Sequence, residues 1–93
     1  MNRALVPTSR FNRALKGWLK SHPDAADAVA AALDALAADA HAPHLRTHKL
    51  RGQLAGQWAC TVSFDCRIVF RIETTADGEE VVLLAVGTHD DVY

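Results

Sequence analysis

Trp58-Ala59-Cys60-Thr61-Val62-Ser63-Phe64-Asp65-Cys66-Arg67-Ile68-Val69-Phe70-Arg71-Ile72 decides the fold, because it alternates in side-chain character on both sides of one aspartate. Gln57 to Phe64 and Cys66 to Ile72 each read as a strand of period two, and Asp65 links them closely enough for a hairpin. Trp58, Cys60, Val62 and Phe64 share one face of the first strand; Cys66, Ile68, Phe70 and Ile72 share one face of the second. Those apolar faces need cover. The opposite faces carry Thr61, Ser63, Arg67 and Arg71, so the uncovered side of the sheet is expected to be polar and basic.

Upstream residues supply the cover. Residues 3 to 6, Arg-Ala-Leu-Val, read as a short opening strand that ends at Pro7, after which Thr8 or Ser9 offers an N-cap. Phe11, Ala14, Leu15, Trp18 and Leu19 then recur at helical spacing through Lys20. Pro23 suits the first turn of a second helix, with Asp24 and Asp27 near its positive end and Ala26, Val29, Ala30, Leu33, Leu36 and Ala37 as its apolar face. So short a connection makes an antiparallel helical hairpin. From Ala40 to Gly56 the sequence is polar and broken by Pro43, Gly52 and Gly56, which predicts a long ordered loop of the kind that often carries function. Ala76-Asp77-Gly78 gives another turn, and Val81 to Val86 is apolar on both faces, as a central strand would be. The expected fold is α+β: an N-terminal strand and a helical hairpin packed on one face of a mainly antiparallel sheet of about four strands, in a single domain over residues 1–93. Trp18 and Trp58 are expected in the core.

Composition narrows the function. The formal net charge is only −1, but it is segregated along the chain. Residues 1 to 22 carry five Lys or Arg and no acid, residues 44 to 71 carry Arg46, Lys49, Arg51, Arg67 and Arg71 against Asp65 alone, and the acids gather in residues 72 to 93. A basic face can therefore exist on a nearly neutral protein. Cys60 and Cys66 lack CxxC spacing and have no second pair, so reduced core thiols are expected, with no metal site and no cofactor. No apolar run approaches the roughly 20 residues that span a bilayer. With no leader-like apolar segment at the start, no membrane association and a cytoplasmic location are the expectation.

Two clusters carry chemistry. His48-Lys49-Leu50-Arg51-Gly52 lies in the long loop, and Gly87-Thr88-His89-Asp90-Asp91-Val92-Tyr93 closes the sequence directly after the last apolar strand. If that strand lies beside Cys66 to Ile72, both clusters reach the basic face. His48, His89, Asp65, Arg67, Lys49, Arg51 and a terminal aromatic together suit an RNA phosphodiester: cations neutralise phosphate, a ring can stack on a base, and imidazole and carboxylate can move protons. Each residue also has an ordinary role open to it. Asp65 is a good turn residue, Arg71 a solvated one, and His22, His41 and His44 are expected to face solvent.

In these segments the chain resembles bacterial type II toxins of the RelE/ParE superfamily, in pattern the YafQ-like mRNA interferase branch. The matching pieces are His48-Lys49-Leu50-Arg51-Gly52, Trp58-Ala59-Cys60, Phe64-Asp65-Cys66-Arg67-Ile68-Val69-Phe70 and Val86-Gly87-Thr88-His89-Asp90-Asp91-Val92-Tyr93, in that order. The resemblance implies a RelE-like fold and a metal-independent endoribonuclease that cuts mRNA in the ribosomal A site; for such a site the expected reaction is attack by the ribose 2′-oxygen, with His48 or Asp65 taking its proton and His89 protonating the departing 5′-oxygen. It also implies neutralisation by a cognate antitoxin in a toxin-antitoxin hetero-oligomer. Residue by residue, it implies that His48 and Asp65 are acid-base groups, that His89 is a C-terminal catalytic histidine, and that Tyr93 is an aromatic at the cleavage site. Arg67 would stabilise the phosphate, with Lys49 and Arg51 assisting. Thr61 stands where the branch pattern has a further histidine, and is expected to contact RNA rather than carry a proton. Two alternatives stay open: a ParE-like poison of DNA gyrase without nuclease activity, and a catalytically degenerate protein that only binds its antitoxin.

Overall fold

Thr8 starts the first helix with its own side chain, whose oxygen accepts a hydrogen bond from the Phe11 N–H, and it ties that helix to the sheet by donating its N–H and hydroxyl to the Leu83 carbonyl. The computed structural model describes residues 3–93. Strand β1 (Ala4–Pro7) leads into α1 (Ser9–Ser21), and a 3₁₀ turn at Pro23–Ala25 opens α2 (Ala26–Ala38). A two-residue strand, β2 (His48–Lys49), lies between 3₁₀ turns at Pro43–Leu45 and Gly52–Leu54. Then come β3 (Trp58–Ser63), β4 (Cys66–Thr75), β5 (Gly78–Gly87) and a closing turn of helix, α3 (His89–Val92).

The sheet has five strands in the order β1-β5-β4-β3-β2, with β1 parallel to β5 and the other neighbours antiparallel. The expected strand count of about four falls short because β2 is too brief to show any alternation; His48 pairs with Ala59 and Lys49 with Trp58. Both helices lie on one face, α1 against β5 and α2 against β3. Phe11, Trp18, Val29, Ala32, Leu36, Leu45, Cys60, Ile68, Phe70 and Leu83 belong to the buried cluster between the layers. The buried stripe of α2 is Val29, Ala32 and Leu36, whereas Ala26 and Ala30 are exposed. Alanine fits either side of a helix, so its spacing misplaced the stripe.

Two irregularities alter the expected parity. The β3–β4 register shifts between Thr61 and Ser63, and a strand that gains a residue there turns its following side chains. Phe64, expected on the buried face of the strand, instead lies in the two-residue turn that follows the end of β3 at Ser63, and is 97% exposed. A second shift at Val69/Phe70 lets both Leu83 and Val86 of β5 face the helices, while Ala85 faces away. Trp58 is only half-buried, with the His41 ring edge-on at 5.0 Å and the Lys49 ammonium 5.3 Å from its centroid. Trp18 is buried as expected and stacks on His22 at 3.8 Å, so His22 is not simply solvated.

The helix-free face is not uniformly polar either. Ala59, Val69, Ala85 and Val92 form a second buried cluster, flanked by Leu50 and Leu84. Val92 of α3 thus pins the end of the chain on the sheet. Polar groups flank this patch at both ends, Thr61 and Arg67 at one and the Arg71–Glu73 ion pair, 2.7 Å, at the other.

Cys60 and Cys66 are free and fully buried. Burial pushes the Cys60 thiol up to about 12 and the Cys66 thiol up to about 11. Stability should therefore fall as pH rises above about 9, because the unfolded chain then releases thiol protons that the folded chain keeps. Denaturant midpoints at pH 8 and pH 10 check this: the Cys60→Ala, Cys66→Ala double variant should lose less midpoint between them than the parent chain.

Candidate functional site

The site begins with the backbone at Arg46. Arg46 closes the Pro43–Leu45 turn in the left-handed conformation, φ 51°, and its carbonyl accepts a 3.0 Å hydrogen bond from His48 Nδ1. A carbonyl can only accept, so Nδ1 carries the proton, and the neutral ring offers its lone pair at Nε2. That nitrogen lies 3.4 Å from the Tyr93 hydroxyl, which donates to it. Burial raises the Tyr93 pKa while Arg67 pulls it back, so the phenol keeps the proton it donates.

Tyr93 reaches His48 because α3 is firmly capped. The Thr88 hydroxyl accepts from the Asp91 N–H at 3.2 Å, and the Asp91 carboxylate accepts from the Thr88 N–H at 3.1 Å, a reciprocal capping box. Asp91 is thereby accounted for as a cap. On the same turn the His89 ring meets the Tyr93 ring edge-on at 4.4 Å, and the Asp90 carboxylate lies 3.6 Å from His89 Nδ1. His89 Nε2 is left for another partner.

Gly87 makes this turn possible. A Cβ there would lie 2.8 Å from Asp91 Cβ and 2.9 Å from its Oδ2, inside any permissible contact. Gly87→Ala should break the capping box and cost roughly 1–3 kcal/mol, seen as a melting temperature several degrees lower. An unchanged melting curve would mean that α3 is not seated this way.

Arg67, on β4, stands opposite Gly87 of β5 and opposite Thr61 of β3. One guanidinium nitrogen, Nη1, donates to the carbonyls of Ser63, Phe64 and Cys66 at 2.8, 3.3 and 3.2 Å, which holds the β3–β4 turn. Its Nε and Nη2 make no hydrogen bond, and no carboxylate pairs with it among the described residues. Three N–H donors remain for an anion. They border a groove of about 640 Å³ lined by Arg46, His48, Thr61, Ser63, Phe64 and Arg67. A second cavity of about 410 Å³ continues beyond His48, with Arg51, Gln53, Leu50, Leu54 and Tyr93 along it.

Of the residues singled out in the sequence, His48, Thr61 and Arg67 thus line one groove and His48, Arg51 and Tyr93 line the next; His89 lines neither cavity and is linked to them by its ring contact with Tyr93. Two do not join them. Lys49 pairs with Trp58 and turns its ammonium onto that indole, on the helix-covered face, because neighbours on a strand point to opposite sides. Asp65 sits exposed in the β3–β4 turn, accepts from the Ser63 hydroxyl at 3.2 Å, and is not among the residues lining either cavity. Arg46 and Phe64 enter the groove without having been singled out. Arg46 was visible as a basic residue two positions before His48, but the alternation runs on through Phe64 and so did not announce that the turn begins there. Among the described residues no group of three or more His, Cys, Asp or Glu side chains is placed to hold a metal ion, and no helix is long and apolar enough to cross a membrane.

Comparison with known proteins follows this geometry. The family described as a bacterial toxin of type II toxin-antitoxin system, YafQ, matches residues 3–93. The crystal structure of YafQ from E. coli strain BL21(DE3) superposes with a TM-score of 0.82 at 15% identity, covering 98% of each chain. The toxin chain of an E. coli DinJ-YafQ toxin-antitoxin complex gives 0.79 at 16% identity, over 100% of this chain and 99% of that one. A YoeB/ParE toxin from Agrobacterium tumefaciens gives 0.77 at 16% identity, over 92% and 98%. At such identities the superpositions speak for the fold. No curated protein sequence matches significantly.

Proposed function

We propose that this chain, which belongs to the YafQ family of toxins of bacterial type II toxin-antitoxin systems, is an endoribonuclease that cuts mRNA on the ribosome. The observation that carries the proposal is the His48 ring, whose Nδ1 is fixed by a backbone carbonyl and whose Nε2 lone pair meets a terminal tyrosine at the mouth of a basic groove. That is a preorganised general base. In the proposed reaction, His48 Nε2 exchanges the Tyr93 hydroxyl for a ribose 2′-hydroxyl and takes its proton. The 2′-oxygen attacks the adjacent phosphorus, the bond to the 5′-oxygen breaks, and His89 Nε2 gives that oxygen a proton. The products are a 2′,3′-cyclic phosphate and a 5′-hydroxyl.

The three free donors of Arg67 would stabilise the charge that grows on the phosphoryl oxygens, with Arg51 holding the backbone on the far side of His48. Thr61 is given a hydroxyl contact to the same strand. His48 is preferred to Asp65 as the base, because Asp65 is engaged in its turn. None of these steps calls for a metal. The protein would act in the cytoplasm and be held inactive in a complex with a cognate antitoxin, as the DinJ-YafQ complex suggests by analogy.

The test is primer extension on mRNA bound to programmed ribosomes, alongside a gyrase assay. Discrete new mRNA ends that vanish on adding the antitoxin support the proposal. Gyrase-mediated DNA breaks without mRNA ends would instead favour the ParE-like alternative, and neither product would favour a protein that only binds its antitoxin.

A further inference from the structure

We infer that Phe64 is a base-stacking platform for a nucleotide flanking the scissile phosphate, and so a determinant of affinity and sequence preference. The inference rests on the nuclease proposal. Phe64 continues the alternation of β3 in the sequence, yet β3 ends at Ser63 and the ring stands in the two-residue turn before β4, 97% exposed, the most exposed large apolar side chain among the described residues. Leaving so large a ring in water forfeits the stabilisation that its burial would contribute. The ring borders a groove with the cations Arg46 and Arg67 and with His48.

Its backbone is also held. The Phe64 carbonyl is one of three that accept from Arg67 Nη1, so the residue that would grip the phosphate also fixes the turn that presents the ring. An aromatic face beside cationic donors suits single-stranded RNA, because every base has a π-face and every linkage a charge. Stacking tolerates sequence but not loss of the ring.

Phe64→Ala, Phe64→Leu and Phe64→Trp, each compared with the parent chain in the programmed-ribosome cleavage assay, test this. The alanine and leucine variants should need roughly 5- to 100-fold more protein for half-maximal cleavage, with a shifted pattern of cut positions, while the tryptophan variant stays near the parent. All should keep the parent's melting temperature, since an exposed ring supports no core. Parent-like half-maximal concentrations for the alanine or leucine variant would overturn the inference while leaving the nuclease proposal standing. So would a loss of antitoxin affinity in the alanine variant with cleavage intact, which would assign the ring to the protein partner. If the parent chain itself yields no cuts, the nuclease proposal fails first.

Discussion

His48→Gln is expected to leave the fold standing and to reduce mRNA cleavage by roughly 10²- to 10⁴-fold, the range lost when a positioned proton acceptor is removed. Glutamine keeps a polar side chain of similar reach but has no basic nitrogen. The fold should tolerate the change because His48 is exposed and its β2 pairing with Ala59 is made by backbone. His89→Ala should cost cleavage in the same range, since the 5′-oxygen would then leave without a proton. Single-turnover rates on programmed ribosomes, with circular dichroism melts as the folding control, measure both. A folded His48→Gln variant that cuts at the parent rate would end the role of His48 as base, and the same result for His89→Ala would end its role as acid.

Arg67→Ala carries the second large effect, and it has two parts. Removing the three donors left free for the phosphate should reduce the cleavage rate roughly 10²- to 10³-fold, as for the loss of one oxyanion donor. It also strips the Ser63, Phe64 and Cys66 carbonyls of their common partner, so the β3–β4 turn should loosen and the melting temperature fall. Arg67→Lys separates the parts. A lysine keeps the charge but not the planar fork, so it should recover only part of the rate, and it cannot serve turn and phosphate from different nitrogens at once. Equal rates for the lysine variant and the parent would mean that point charge alone matters at this position.

The hairpin around Asp65 was legible because its alternation is a property of consecutive residues. So were α1, through Thr8 and the Phe11-to-Leu19 stripe, and β5 as a central strand, through its apolar run after the Ala76-Asp77-Gly78 turn. What escaped depends on longer-range geometry. The end of β3 at Ser63 leaves no mark in an alternation that runs on through Phe64, yet it decides whether Phe64 is core or groove. Likewise β2 exists only because β3 is there to pair with it, and that pairing sends His48 and Lys49 to opposite faces. Charge clustering had grouped them. The capping box at Thr88 and Asp91 was written in the sequence, but a one-turn helix is too short to announce itself. In the structure Asp91 caps the turn that delivers Tyr93 to His48.

The chemistry of the cut ends records which oxygen attacked the phosphorus. Ribosomes programmed with an mRNA that carries a single 2′-deoxynucleotide just 5′ of the mapped cut should show no cleavage there, whereas the all-ribose mRNA should yield a 2′,3′-cyclic phosphate facing a 5′-hydroxyl. Cleavage of the 2′-deoxy substrate at an undiminished rate, or a 5′-phosphate on the downstream fragment, would contradict attack by the 2′-oxygen, and with it the assignment of His48 as the base that frees it.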